Sequence, residues 1–377
     1  MNILFIESSI PPYRGGIQRV SWLLRNYFLK YGNDVFFAFY LKDSDEVDSL
    51  HKLRYDNHSD ETILYPLFKN YIVSNHIDIV MIQGHCGKPL LDALHQIRNA
   101  LAINLIGCFH VSPDFEKYRK VPLKTQVKNA VKKLLRIPLY NSHRHFYEVV
   151  DKFVLLSETF IDDMCQTYQL QDRNKIVCIP NPLSFDESID NDQILKKEKI
   201  VLIVTRLEET QKNIMSALRI WKEVEKKGDL KGWKLVLGGY GPDEKKILQY
   251  ADSLSLQHYE FIGKVDDAQT LFKKASIFMM TSRYEGFGMT LTEALQNACV
   301  PMAFDNFSVL HDILTDGENG YIIPSGNETY YAKRLLSLMS NDQTRMEMAI
   351  RGLESSNKFS IDNVGNKWLE LFNSLMI

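Results

Sequence analysis

The chain has 377 residues, 45% of them hydrophobic and 24% charged, with a formal net charge of -2. Its length exceeds the roughly 250–300 residues at which a single hydrophobic core stops growing, so two domains are expected; the composition is that of a folded globular protein, and nothing in it suggests a nucleic-acid partner. Five cysteines (Cys86, Cys108, Cys165, Cys178, Cys299) are scattered and form no CxxC pair, so neither a disulfide framework nor a zinc site is encoded, and a reducing compartment fits.

The first strand candidate, Ile3 to Ile6, has no basic region before it and runs into an acid at Glu7. No signal peptide is expected, and no later apolar run approaches the ~20 residues of a membrane span, so a cytoplasmic location is expected. A Gly15-Gly16 turn follows, then Val20, Leu23, Leu24, Tyr27 and Phe28 at helical spacing, closing at Gly32. Further strand candidates are Val35 to Phe39, Ile77 to Ile82, Ile103 to Ile106, Phe153 to Leu156 and Ile176 to Ile179. Mostly helix-length spacers separate them, which predicts a parallel, doubly wound sheet.

The pattern breaks at Pro180-Asn181-Pro182 and the polar stretch from Ser184 to Lys199, read as an interdomain linker. A second series follows: Ile200 to Val204, Trp233 to Leu237, Phe261-Ile262, Ile277 to Met280 and Val300 to Phe304. The expected organisation is an α/β protein with two Rossmann-like parallel-sheet domains facing a cleft: residues 1–180, a linker at 181–199, residues 200–355, and a terminal helix over 356–377. That helix carries Val364, Trp368, Leu371, Phe372 and Leu375 on one face and is expected to pack back on the first domain.

The run Ser282-Arg283-Tyr284-Glu285-Gly286-Phe287-Gly288-Met289-Thr290-Leu291-Thr292-Glu293 places a glycine loop between a strand and a helix. Gly286 and Gly288 allow close backbone approach, and the N–H groups from about Gly288 to Leu291 form an anion site suited to a diphosphate. Glu285 and Glu293 then flank that diphosphate, one for a sugar and one for a ribose. Arg206 and Lys212 would stabilise the charge that grows on a departing nucleoside diphosphate, Arg through its planar fork and Lys as a point charge. Together they could replace a metal. Asp43-Ser-Asp45 and Asp190-Asn-Asp192 have the DxD form of a metal motif but sit in polar loop or linker stretches, and no metal site is expected. Gly239-Tyr240-Gly241 could open a dinucleotide fingerprint, but Glu244 stands where its third glycine belongs.

These words together resemble the retaining glycosyltransferases of the GT-B fold, family 4 type: Glu285 to Glu293 matches their E-x7-E motif, Gly15-Gly16 their N-terminal glycine loop, Arg206 and Lys212 their basic pair, and Gly238 to Pro242 the next loop. The resemblance covers essentially the whole chain. It implies catalytic roles for Glu285, His110, Arg206 and Lys212, and donor contacts at Gly15, Gly16, Gly239, Tyr240, Gly241, Val265, Gly286, Phe287, Gly288, Met289, Thr290 and Glu293. It further implies transfer of a hexose or N-acetylhexosamine from a nucleotide diphosphate sugar, UDP-sugars favoured and GDP-sugars left open, to a glycan or lipid-linked acceptor of surface polysaccharide synthesis. Front-face attack by the acceptor hydroxyl is implied, the released phosphate oxygen serving as base. No cofactor is implied, because the nucleotide-sugar is a substrate. A silent nucleotide-sugar-binding scaffold, and an epimerase or phosphorylase of the same fold, stay open as alternatives.

His110 closes the strand Ile103 to Ile106 and its extension; His85, in Gln83-Gly84-His85, is its rival. A basic stretch runs from Lys117 to Arg144 with no acid between Glu116 and Glu148. It reads either as a solvated helix or as a helix that lies on an anionic membrane surface or steers a lipid-phosphate acceptor into the cleft. The word Asp305-Asn306-Phe307-Ser308-Val309 is given no role.

Overall fold

The computed structural model describes residues 1–9, 15–40, 51–84, 86–112, 141–187, 189–227 and 230–376. Asp43, Asp45, His85 and the basic stretch up to residue 140 lie outside them. The chain divides into two compact units, Met1–Pro182 with Ile361–Ile377, and Leu183–Ser360.

In the first unit the described residues form a sheet of β1 (Asn2–Glu7), β2 (Asp34–Phe39), β3 (Lys52–Arg54), β4 (Ile79–Gln83), β5 (Asn104–Phe109), β6 (Lys152–Leu155) and β7 (Ile176–Cys178). Its order is β3-β2-β1-β4-β5-β6-β7, with every pair parallel. Strands covered by helices on both faces are continuous apolar runs, as Ile3 to Ile6 and Ile79 to Ile82 are, all of them buried. The short edge strand β3, with two basic residues in three, has no such run and is not among the sequence expectations.

The second unit repeats the plan with β8 (Glu198–Val204), β9 (Lys234–Gly238), β10 (Tyr259–Gly263), β11 (Ala275–Met280), β12 (Val300–Phe304) and β13 (Tyr321–Ile323), in the order β10-β9-β8-β11-β12-β13. In each sheet the order reverses once, between β1 and β4 and between β8 and β11. Neighbouring loops diverge at such a point, and ligands bind there at the carboxyl ends of the strands.

The linker reading of 181–199 needs correction. Leu183, Ser184, Ile189 and Ile194 are buried in the second unit, and the polar residues are consumed locally. Asp190 caps the helix Asn191–Leu195, accepting from the Gln193 N–H at 2.7 Å while the Gln193 side chain returns a bond to the Asp190 N–H. Polarity here marks a capping box, and Asp190 is committed to it.

The helix Ile361–Leu375 belongs to the first unit, where it lies against the helix Gly15–Lys30. Phe28 meets Phe372 edge-on with ring centroids 5.1 Å apart, and the Tyr27 hydroxyl donates to Asn366 Oδ1 at 2.7 Å. Gly365 lets the two helices approach, since a Cβ there would fall 2.3 Å from the Tyr27 ring. Gly365→Val should therefore lower stability by about 1–3 kcal/mol, read as a fall in Tm; an unchanged Tm would show that the helices separate without cost.

Candidate nucleotide-sugar site

The second unit gathers half of the predicted residues at its point of reversal. After β8, Thr205 and Arg206 lead into the short helix Glu209–Lys212, which ends at Asn213 in the left-handed conformation (φ 53°) and restarts as the helix Ile214–Glu225. After β11, Thr281 to Gly288 lead into the helix Met289–Gln296. Several hydrogen bonds lace the two loops together. Thr281 Oγ1 donates to the carbonyls of Lys212 and Asn213 at 3.1 and 3.0 Å, and the Arg283 N–H donates to the Gln211 carbonyl at 2.8 Å. The Arg283 guanidinium reaches Asn213 Oδ1 at 2.5 Å and also binds the Glu209 carbonyl.

This lacing places Lys212 Nζ 2.7 Å from Glu285 Oε1, with the two side chains only 18% and 8% exposed. A partly desolvated pair of this kind is held far more firmly than a surface ion pair, and losing either member strands the other charge. An ammonium has three donors and a carboxylate two acceptor oxygens, so each retains capacity for a ligand. Lys212, Thr205, Thr281, Ser282 and Thr290 line a small pocket at the ends of β8 and β11.

Glu293 is buried inside the helix Met289–Gln296, where Ser184 Oγ donates to its Oε1 at 2.5 Å. Ser184 belongs to the stretch read as linker, so the residue that holds one of the two motif carboxylates lay outside every sequence expectation. Gly288, at φ 85°, starts the helix without a side-chain cap. The Leu291 N–H is already bonded to the Gly288 carbonyl at 2.8 Å, which narrows the anion-binding stretch expected from Gly288 to Leu291 to Gly288, Met289 and Thr290. Phe287 is buried against Phe359, centroids 5.5 Å apart, so only its backbone is offered to a ligand. Gly286 is half-buried in the same loop.

The remaining predicted residues are more dispersed. Arg206 is 65% exposed and pairs with Glu208 at 3.0 Å. Gly239 follows β9 at φ 146°, and a Cβ there would lie 1.8 Å from the Thr205 carbonyl oxygen, so the backbone can pass only as glycine. Tyr240 beside it is exposed, Gly241 packs on the Leu207 backbone, and Val265 packs beside Gly238. Asn306, from the word given no role, donates to the Ser282 carbonyl at 2.8 Å and accepts from Ser325 at 2.6 Å. It braces the β11 loop from the β12 side.

In the first unit Gly15 opens the helix Gly15–Lys30 at φ 73°, with Gly16 in its first turn. His110 follows β5, half-buried, with Nε2 2.6 Å from Gln83 Oε1. Burial pushes its pKa down to about 4, so the ring is neutral at physiological pH. Glu7, at the end of β1, is 3% exposed, and burial pushes its carboxyl up to about 8 although the Ser21 hydroxyl opposes the rise. The sequence reading took Glu7 only as the end of an apolar run.

A family model described as glycosyl transferases group 1 matches residues 184–354. Residues 184–354, most of the second unit, belong to that family. The chain is 25% identical over 241 residues to the poly(glycerol-phosphate) alpha-glucosyltransferase of Bacillus subtilis (strain 168), a match covering 63% of this chain and 36% of that protein. It is 26% identical over 230 residues to the amylovoran biosynthesis glycosyltransferase AmsD of Erwinia amylovora, covering 60% of this chain and 63% of that one. The matches thus span less than two thirds of either relative's length. Among solved structures, Anabaena HepE in complex with UDP-glucose aligns with a TM-score of 0.73 at 16% identity, over 99% of this chain and 100% of that one. That likeness shows the GT-B fold. Among the described residues, no helix is long and apolar enough to cross a membrane.

The buried acid of the first unit yields a pH-dependent outcome. Native Glu7 keeps its proton up to about pH 8, whereas the unfolded chain releases it near 4.5, so folding is opposed increasingly as pH rises between those values. The penalty grows by at most about 1.4 kcal/mol per pH unit. Glu7→Gln should raise Tm more at pH 8 than at pH 5; an equal change at both would mean that Glu7 does not titrate between them.

Proposed function

We propose that this chain is a retaining, metal-independent glycosyltransferase that moves a hexose or N-acetylhexosamine from a nucleotide diphosphate sugar, UDP-sugars favoured, to a glycan or lipid-linked acceptor. The observation that carries the reading is the Lys212–Glu285 pair, set beside the start of the helix Met289–Gln296 at the carboxyl ends of β8 and β11.

A diphosphate seated at that helix start meets the N–H groups and partial positive charge of the first turn. Lys212 keeps one donor on Glu285 and turns the others to phosphate oxygens, and Arg206, being exposed, is free to swing its fork onto them. These groups oppose the charge that develops as the glycosidic bond breaks, the task a metal ion performs elsewhere. Glu285, steadied by Lys212, accepts from sugar hydroxyls. Glu293, steadied by Ser184, accepts from the ribose. The acceptor hydroxyl attacks from the face the phosphate leaves, and the released phosphate oxygen takes its proton. His110 of the first unit hydrogen-bonds a substrate hydroxyl.

The relatives support this assignment, since the printed names of two are an alpha-glucosyltransferase of a poly(glycerol-phosphate) and a glycosyltransferase of amylovoran biosynthesis, and the Anabaena structure holds UDP-glucose. The same names suit a polymer acceptor.

UDP should raise Tm more than GDP, ADP or CDP, and should do so equally with a chelator present. No shift with any nucleotide would favour a silent scaffold. Arg206→Ala and Glu285→Gln should each lower sugar transfer at least 100-fold, about 2.7 kcal/mol of transition-state stabilisation, in protein that remains folded. Near-normal transfer by both variants would remove the site assignment, and activity lost to chelator and restored by magnesium would remove the metal-independent mechanism.

A further inference from the structure

Near their carboxyl ends, three adjacent strands of the first unit carry Glu7, Gln83 and Cys108 within an apolar layer. Ile6 of β1 lies opposite Ile82 of β4, and Gln83 of β4 lies opposite Cys108 of β5, so Glu7, Gln83 and Cys108 succeed one another across the sheet. His110 comes two residues after Cys108 and reaches back to Gln83, its Nε2 2.6 Å from Gln83 Oε1. Gln83 is buried, and among the described residues His110 Nδ1 and Gln83 Nε2 are buried without a hydrogen-bond partner.

An amide oxygen can only accept, so the imidazole nitrogen facing it must carry the hydrogen. A neutral ring has one N–H, and once that is spent on Gln83 the other nitrogen is left with a lone pair. A buried acceptor without a partner is costly in a folded protein and calls for a reason to be kept. We propose that Gln83 is a positioning residue: by accepting the Nε2–H of His110 it holds the ring in one tautomer and orientation, so that Nδ1 meets a substrate hydroxyl as an acceptor. The proposal rests on the reading of His110 as a substrate contact. It makes the contacted hydroxyl a donor to the protein, so an O-methyl ether at that position should be refused while the free alcohol is used. The ionisable groups nearest in the sheet are Glu7 on β1 and Cys108 on β5; burial raises the pKa of both, so neither places a negative charge beside the ring at pH 7.

The experiment is long-range ¹H–¹⁵N NMR of histidine-labelled full-length protein at pH 7, with His110 assigned by its loss in His110→Ala, combined with transfer kinetics. The expected spectrum is an Nε2-protonated ring in the native protein and in Gln83→Glu, which keeps an acceptor, and a mixture of tautomers in Gln83→Met, which does not. Gln83→Met should lower kcat about tenfold or more with the donor KM within about threefold, the scale on which an orienting partner acts, and Gln83→Glu should recover most of that loss. An Nδ1-protonated ring in the native protein, or native tautomer and turnover in Gln83→Met, overturns the proposal. Full transfer by His110→Ala would instead overturn the reading of His110, while the spectra still decide whether Gln83 orients it.

Discussion

The second unit's site depends on two loops being held as one body. Lys212 and Glu285 are 73 residues apart in sequence, carried by loops that follow β8 and β11. They meet because those strands adjoin at the point where the sheet order reverses, and because Thr281 and Arg283 bind the β8 loop through its backbone. Asn213 is the pivot. Its left-handed conformation ends one helix and begins the next, and its side chain takes the Arg283 guanidinium. Without that framework the ammonium and carboxylate would be two solvated charges with little preference for one geometry. With it, they are pre-positioned, so little reorganisation is needed when a charged ligand arrives.

The two units use the same sheet reversal for different chemistry. In the second unit the strand ends present charges of both signs. In the first they present groups that are neutral at physiological pH: a carboxylic acid at Glu7, an amide at Gln83 and an imidazole at His110. The difference is one of partners, since both carboxyls are buried. Glu285 has a cation within hydrogen-bond distance, whereas Glu7 has no ion-pair partner among the described residues and holds its proton.

Much of this was readable beforehand, for a physical reason. Parallel strands covered on both faces must be apolar throughout, so Ile3 to Ile6, Ile200 to Val204 and Ile277 to Met280 announce themselves. The edge strand Lys52–Arg54 carries no such pattern, and Tyr321–Ile323, though apolar, is too short to stand out. The glycine loops and the E-x7-E word mark the site because backbone approach and paired carboxylates need those residue types. Long-range side-chain bonds leave no local trace. Ser184 looked like linker because polarity near prolines resembles solvent exposure, and its bond to Glu293 spans 109 positions. Gln83 stood beside a different histidine in sequence and binds His110, 27 positions away, in space. Glu7 looked like the acid that closes a strand; only the fold shows that the strand end is covered.

The return of the helix Ile361–Leu375 to the first unit makes the second unit an insertion in the first. During synthesis, the face of the Gly15–Lys30 helix that carries Tyr27 and Phe28 emerges early, but its cover emerges only after all of 183–360. The second unit is contiguous and can close its core as soon as it is made, while the earlier-made unit waits with aromatic surface uncovered. The order of completion is therefore the reverse of the order of synthesis, and the Tyr27–Phe28 face stays open to misassembly and to chaperones until that helix is made.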